Sequence, residues 1–221
     1  MNFQTDIILS FDLDNTLINN REGIVNSFNY ALKRYGQPQV EKIKIEKMIG
    51  TPLNEMFAEI TNLDPNLLST AFREYYGTKG IYQSALIPGV KKKLKFFKSN
   101  HFTLGIITSK KQEMAEKLVA FLKISKHFDY ILGETEERKA LGKLDLKLKE
   151  IILKKYPHHK IIVIGDHPKD VLLSNNLNCP FIGVLTGYHK PNELKKLKIG
   201  PFLALNSVND LDLSSIYAIL E

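Results

Sequence analysis

Apolar residues change rhythm twice along this chain. Ile7, Ile8 and Leu9 form a continuous apolar run that predicts a short buried strand. From Arg21 to about Tyr35 the apolar positions are Ile24, Val25, Phe28, Ala31, Leu32 and Tyr35, which is helical spacing, and Gly36 and Pro38 supply the stop. Further helices are predicted over 40–49, closed by Gly50 and Pro52, and over 53–60. A fourth starts at Asp64-Pro65, a cap followed by a first-turn proline, and ends at Gly77. The stretch 20–87 therefore reads as helices without a convincing strand.

After Pro88-Gly89 the pattern becomes an alternation of helix and strand. Val90, Leu94 and Phe97 mark one helix face, and the segment 102–107 reads as a strand. Met114, Leu118, Phe121 and Leu122 mark the next helix, and Tyr130-Ile131-Leu132 a short strand ending at Gly133. Leu144, Leu148, Ile151 and Ile152 line a further helix. The runs 161–164 and 181–185 are continuously apolar, as expected of strands covered on both faces. Phe202 to Leu205 reads as an edge strand before a last helix over 214–220. Such alternation predicts an α/β fold with a parallel sheet, whose ligands bind beyond the carboxyl ends of its strands.

Candidate chemistry sits at those ends. Asp12 and Asp14 follow the first strand two positions apart, with a hydroxyl, Thr16, two positions later. In an extended segment alternate side chains share a face, so the two acids would point one way and Leu13 into the core. Like charges held so close raise each other's pKa unless a cation sits between them, and a hard divalent ion such as magnesium suits oxygen ligands. Thr108 and Ser109 end the strand at 102–107. Asp166, with Asp170 one helical turn later, ends the strand at 161–164.

The segment Asp12-Leu13-Asp14-Asn15-Thr16-Leu17 resembles the first motif of the haloacid dehalogenase superfamily, most of whose members are phosphatases. Thr108 resembles its second motif and Gly165-Asp166 with Asp170 its fourth. The resemblance implies a Rossmann-like core, residues 1–19 and 88–221, with an inserted α-helical cap domain over 20–87, similar to phosphoglycolate phosphatases. It implies Asp12 as nucleophile and Asp14 as general acid, later base. Mg2+ would be held by Asp12, Asp14 through its backbone carbonyl, and Asp166, with Asp170 in support. Thr108 and Ser109 would bind phosphate oxygens, and Arg21 and Thr51 would bind substrate from the cap. The third-motif lysine is expected at Lys143, after Gly142 and at the start of the following helix, with Lys139 as its rival. Family members commonly carry Gly-Lys-Pro there and Gly where this chain has Asn15; His167 replaces a frequent Ser or Thr. A phosphomutase built from the same parts is the alternative. A phospho-accepting receiver domain is the alternative from another class, although its motifs run in a different order.

Composition adds bounds. A length of 221 residues fits one α/β domain, or a core with a smaller companion. One cysteine, Cys179, excludes an internal disulfide and suits a reducing compartment. Met1 to Asp6 lacks the basic start and long apolar run of a signal peptide, so a cytoplasmic location is expected. The net charge of +7 raises the question of nucleic acid. Its lysines, such as Lys91 to Lys93, Lys110-Lys111 and Lys195-Lys196, are scattered without interleaved aromatics, and are read as solvated surface. A small phosphorylated metabolite is the expected partner, with neither nucleic acid nor membrane.

Overall fold

The computed structural model describes residues 6–49, 51–138 and 142–221. The helix stop expected at Gly50 lies outside them. In chain order the first elements are β1 (Ile7–Phe11), β2 (Ile18–Asn19), α1 (Arg21–Arg34), α2 (Lys42–Met48), α3 (Leu53–Ile60) and α4 (Pro65–Thr78). There follow β3 (Ala85–Leu86), α5 (Val90–Ser99), β4 (Thr103–Lys111), α6 (Gln112–Phe121) and β5 (Tyr130–Glu134). The chain then forms α7 (Lys147–Lys155), β6 (Lys160–Gly165), α8 (Pro168–Leu177), β7 (Phe181–Val184), α9 (Pro191–Leu197), β8 (Phe202–Leu205) and α10 (Leu213–Ala218).

The chain divides into two compact units, 1–18 with 86–221, and 19–85. In the larger unit six strands form one parallel sheet in the order β5-β4-β1-β6-β7-β8. Every residue of β1 is buried, and β6 is buried after Lys160, which is why both read as continuous apolar runs. From β1 the chain builds outward to β4 and β5, then returns to place β6 on the other side. That reversal beside β1 is the topological switch point at which such sheets bind ligands. Phe11 is level with Ile106 of β4 and Ile164 of β6, so Asp12, Thr108 and Asp166 all follow at the same end of the sheet.

In the smaller unit, α1 to α4 bury Phe28, Leu32, Ile45, Phe57, Leu68 and Ala71 against one another. The Phe28 and Phe57 rings stack at 4.2 Å between centroids, both fully buried. Burial on this scale contributes about 2–3 kcal/mol for each large apolar side chain. α4 starts as its sequence predicts: Asp64 accepts from the Asn66 N–H, and Pro65 fills the first turn. Two strand residues at each end of this region, β2 and β3, pair with each other, a detail too short for any periodicity to reveal.

The helix expected to begin at Lys143 does not. Gly142–Leu144 form a 3-10 turn, and α7 starts only at Lys147, whose N–H is accepted by Asp145 Oδ1. A side-chain acceptor at Asp145 is a stronger helix-start signal than the glycine before Lys143.

Candidate active site

Asp12 leaves the end of β1, where its N–H still donates to the Ile164 carbonyl of β6 at 2.8 Å. Its carboxylate is buried and accepts from the Lys143 ammonium. The same ammonium donates to Asp170 Oδ1 at 2.5 Å, and Lys143 itself is only 6% exposed. Asp170 stands in the first turn of α8. Its other oxygen accepts from the His167 N–H at 3.0 Å, while His167 Nδ1 accepts from the Lys169 N–H at 3.1 Å. One carboxylate therefore both caps the helix and fixes the lysine. A Cβ on Gly165 would collide with Asp170, whose Cβ lies 2.6 Å from that point, so the close fit of β6 and α8 needs glycine there.

Asp166 follows β6, buried, with Thr16 Oγ1 donating to its Oδ1 at 3.1 Å. Carboxylate oxygens of Asp12, Asp166 and Asp170 lie within 4.8 Å of one another. Asp14 is not part of that trio. Its carboxylate pairs with the Lys110 ammonium at 3.3 Å. Asn15, with φ 55°, turns the chain away after it, and Thr186 Oγ1 donates to the Asn15 carbonyl. Thr108 is 3% exposed near the end of β4 and accepts from the Lys110 N–H at 3.2 Å, whereas Ser109 is exposed.

Burial pushes the Asp12 carboxyl up to about 7, with Asp170 and Asp14 adding to the rise and Lys143 opposing it. Burial likewise raises Asp166 well above the usual carboxylate range, reinforced by Asp12 and Asp170. For Lys143, burial alone would favour the neutral amine, but Asp12 and Asp170 outweigh it and hold the ammonium above its ordinary value. His167 is pushed down to about 4, chiefly by burial, which matches its ring nitrogen accepting rather than donating at the helix start. Burial drives the Cys179 thiol up to about 12, far from nucleophile range.

Residues 8–184 match the profile described as haloacid dehalogenase-like hydrolase. The chain belongs to this family. Among its relatives, a 5'-nucleotidase of Pseudomonas aeruginosa is 28% identical over 188 residues, covering 84% of this chain and 85% of the relative. A phosphoglycolate phosphatase of Photorhabdus laumondii is 28% identical over 199 residues, covering 82% and 81%. A solved haloacid dehalogenase-like hydrolase from Streptococcus pneumoniae superposes with a TM-score of 0.81 at 25% identity, over 98% of this chain and 99% of that one.

In this haloacid dehalogenase-like hydrolase the donor set suits a hard divalent cation. Two buried acids, Asp12 and Asp166, are forced toward the neutral form by their surroundings, and all the available ligand atoms are oxygens. Both oxygens of Asp170 are engaged by Lys143 and His167, so Asp12 and Asp166 are the carboxylates that could hold the ion. Gly187 closes on Asp166 from the loop after β7. A Cβ there would strike the Asp166 carboxylate, whose carbon lies 2.8 Å from that point.

Arg21 opens α1 and Thr51 lies exposed between α2 and α3, both in the helical unit rather than the one carrying the other candidates. Lys139 lies outside the described residues. Lys110, expected on the solvated surface, has a side chain that is only 11% exposed. No signal in the sequence marks it out among 31 lysines and arginines. No helix among the described residues is long and apolar enough to cross a membrane.

Proposed function

We propose that this protein is a magnesium-dependent phosphatase acting on a small phosphomonoester through an aspartyl-phosphate. The observation that carries the reading is the Lys143 ammonium, buried and shared between Asp12 and Asp170 at the switch point of the sheet. A carboxylate nucleophile needs a fixed positive charge beside it when a phosphate dianion approaches. Asp12 attacks phosphorus, and the bond from phosphorus to the leaving oxygen breaks as Asp14 gives that oxygen its proton. A water then attacks the aspartyl-phosphate, losing its proton to Asp14, which releases phosphate and restores Asp12. Lys143 neutralises the phosphoryl oxygens throughout, and the Thr108 hydroxyl and Ser109 bind them. Magnesium held by Asp12, the Asp14 carbonyl and Asp166 would, when bound, keep the two carboxylates ionised and withdraw charge from the phosphoryl group.

The names of the relatives, a nucleotidase and a phosphoglycolate phosphatase, support a phosphomonoester with a small leaving group. The helical unit, placed in the sequence where the resemblance puts a cap, is assigned substrate selection, with Arg21 and Thr51 as its candidate binding residues. A single buried thiol suits a cytoplasmic setting.

Incubation with p-nitrophenyl phosphate tests the reading. Many turnovers per protein are expected with magnesium, none in excess EDTA, and recovery on adding magnesium back. A single equivalent of product would favour a phospho-accepting switch, and full activity in EDTA would end the metal-dependent mechanism.

A further inference from the structure

The pairing of Lys110 with Asp14 has no part in the reaction set out above. β4 runs on past Thr108 to Lys111, and its register on β5 shifts between Ile107 and Lys111. Irregularities of this kind beside active sites re-aim side chains. Here the Lys110 N–H donates back to Thr108 Oγ1, and the side chain brings its ammonium to 3.3 Å from Asp14 Oδ2. A lysine has four flexible carbons and gains freedom in solvent, so a side chain only 11% exposed is held for a reason.

Asp14 needs holding. It follows the end of β1, its side chain is 29% exposed, and the left-handed turn at Asn15 comes directly after it. Proton delivery requires a carboxyl oxygen within hydrogen-bond reach of the leaving oxygen, and small misplacements there are costly. An ammonium on Oδ2 sets the plane of the carboxyl group and hence the direction of Oδ1.

We propose that Lys110 is a positioning residue that holds the Asp14 carboxyl group in the orientation from which it protonates the leaving oxygen. This rests on the phosphatase reading. It differs from a role in binding substrate, because it acts only through Asp14 and only where the leaving group needs a proton.

The test compares kcat/KM, which reports steps up to departure of the leaving group, for glycerol 1-phosphate and p-nitrophenyl phosphate. Lys110→Met should lower the value for the alkyl ester about 30-fold and for the aryl ester less than about threefold, since a nitrophenolate departs unprotonated. Lys110→Arg should restore most of the loss. In an Asp14→Asn background, adding Lys110→Met should change the ratio of the two esters no further. Should Lys110→Met fail to fold by circular dichroism, Lys110→Gln gives the same readout. Equal losses for both esters, or a further loss in the Asp14→Asn background, would overturn the inference in favour of direct substrate binding. A wild-type protein inactive on both esters removes the phosphatase reading and this inference with it.

Discussion

Replacing Lys143 by methionine tests the centre of the site, because it keeps the volume and removes the charge. Lys143, Asp12 and Asp170 are 6%, 7% and 0% exposed, so water is little able to take over for the lost ammonium. Removing one partner of a buried ion pair typically costs about 3–5 kcal/mol. Here the cost is capped, because Asp12 has an escape: its carboxyl stands at about 7 even with the ammonium in place. Without it, Asp12 would rise further and take up a proton at neutral pH. The expected loss is therefore near the lower bound, about 3 kcal/mol at pH 7 in metal-free buffer.

The sign of the pH dependence follows. Above pH 7 the folded variant keeps a proton on Asp12 that the folded wild type has released. Its stability then falls faster as pH rises, by up to about 1.4 kcal/mol more per pH unit. Urea unfolding followed by circular dichroism at pH 7 and pH 8 reads both quantities. With magnesium, turnover of p-nitrophenyl phosphate should fall about 100-fold or more, the effect of losing one preorganised charge. A variant as stable as wild type at both pH values, with turnover within about threefold, would refute the reasoning.

Two further outcomes are expected. In metal-free buffer Asp12→Asn should gain on wild type by roughly 3 kcal/mol between pH 5 and pH 8. The contribution of the raised Asp12 carboxyl is complete below 3.8 and is lost as pH climbs through about 7. His167, held down to about 4, pulls the opposite way in both proteins and cancels in the comparison; a pH-independent difference would contradict the assignment. Gly187→Ala should raise the magnesium concentration for half-maximal activity about 10-fold or more by displacing Asp166, and an unchanged magnesium titration would show that Gly187 does not support a metal site.

The strands that flank the site were legible because they are covered on both faces. β1, β6 and β7 are apolar residue after residue, and no polar position interrupts the signal. β4 was read only to Ile107, because Thr108 to Lys111 are polar. The extra strand length comes from pairing of Lys111 with Glu134, a tertiary event without local pattern. The start of α7 was misplaced because glycine before Lys143 resembled a helix entry, while the operative signal was the Asp145 side chain two residues before Lys147. Lys143 reaches Asp12 from a 3-10 turn instead, so its expected neighbour was legible and its local structure was not. Lys110 was invisible for another reason. In a chain with 31 lysines and arginines, a single lysine carries no information until something buries it.

The two acids of the first motif are close in sequence but differ in their contacts. Asp12 and Asp14 stand two residues apart, which in a continuous strand would put their carboxylates side by side. The strand ends at Phe11, and the Asp14 charge still adds to the rise of the Asp12 carboxyl, so the two remain within electrostatic reach while their contacts differ. Asp12 enters the trio with Asp166 and Asp170, its side chain 9% exposed against Lys143; the Asp14 side chain is 29% exposed against Lys110. Each acid thus has its own cation and its own access to water. In the proposed reaction Lys143 serves the phosphoryl group and Lys110 the leaving group, so the two lysine substitutions should separate by substrate: Lys143→Met depressing every ester, Lys110→Met only those whose leaving oxygen requires a proton.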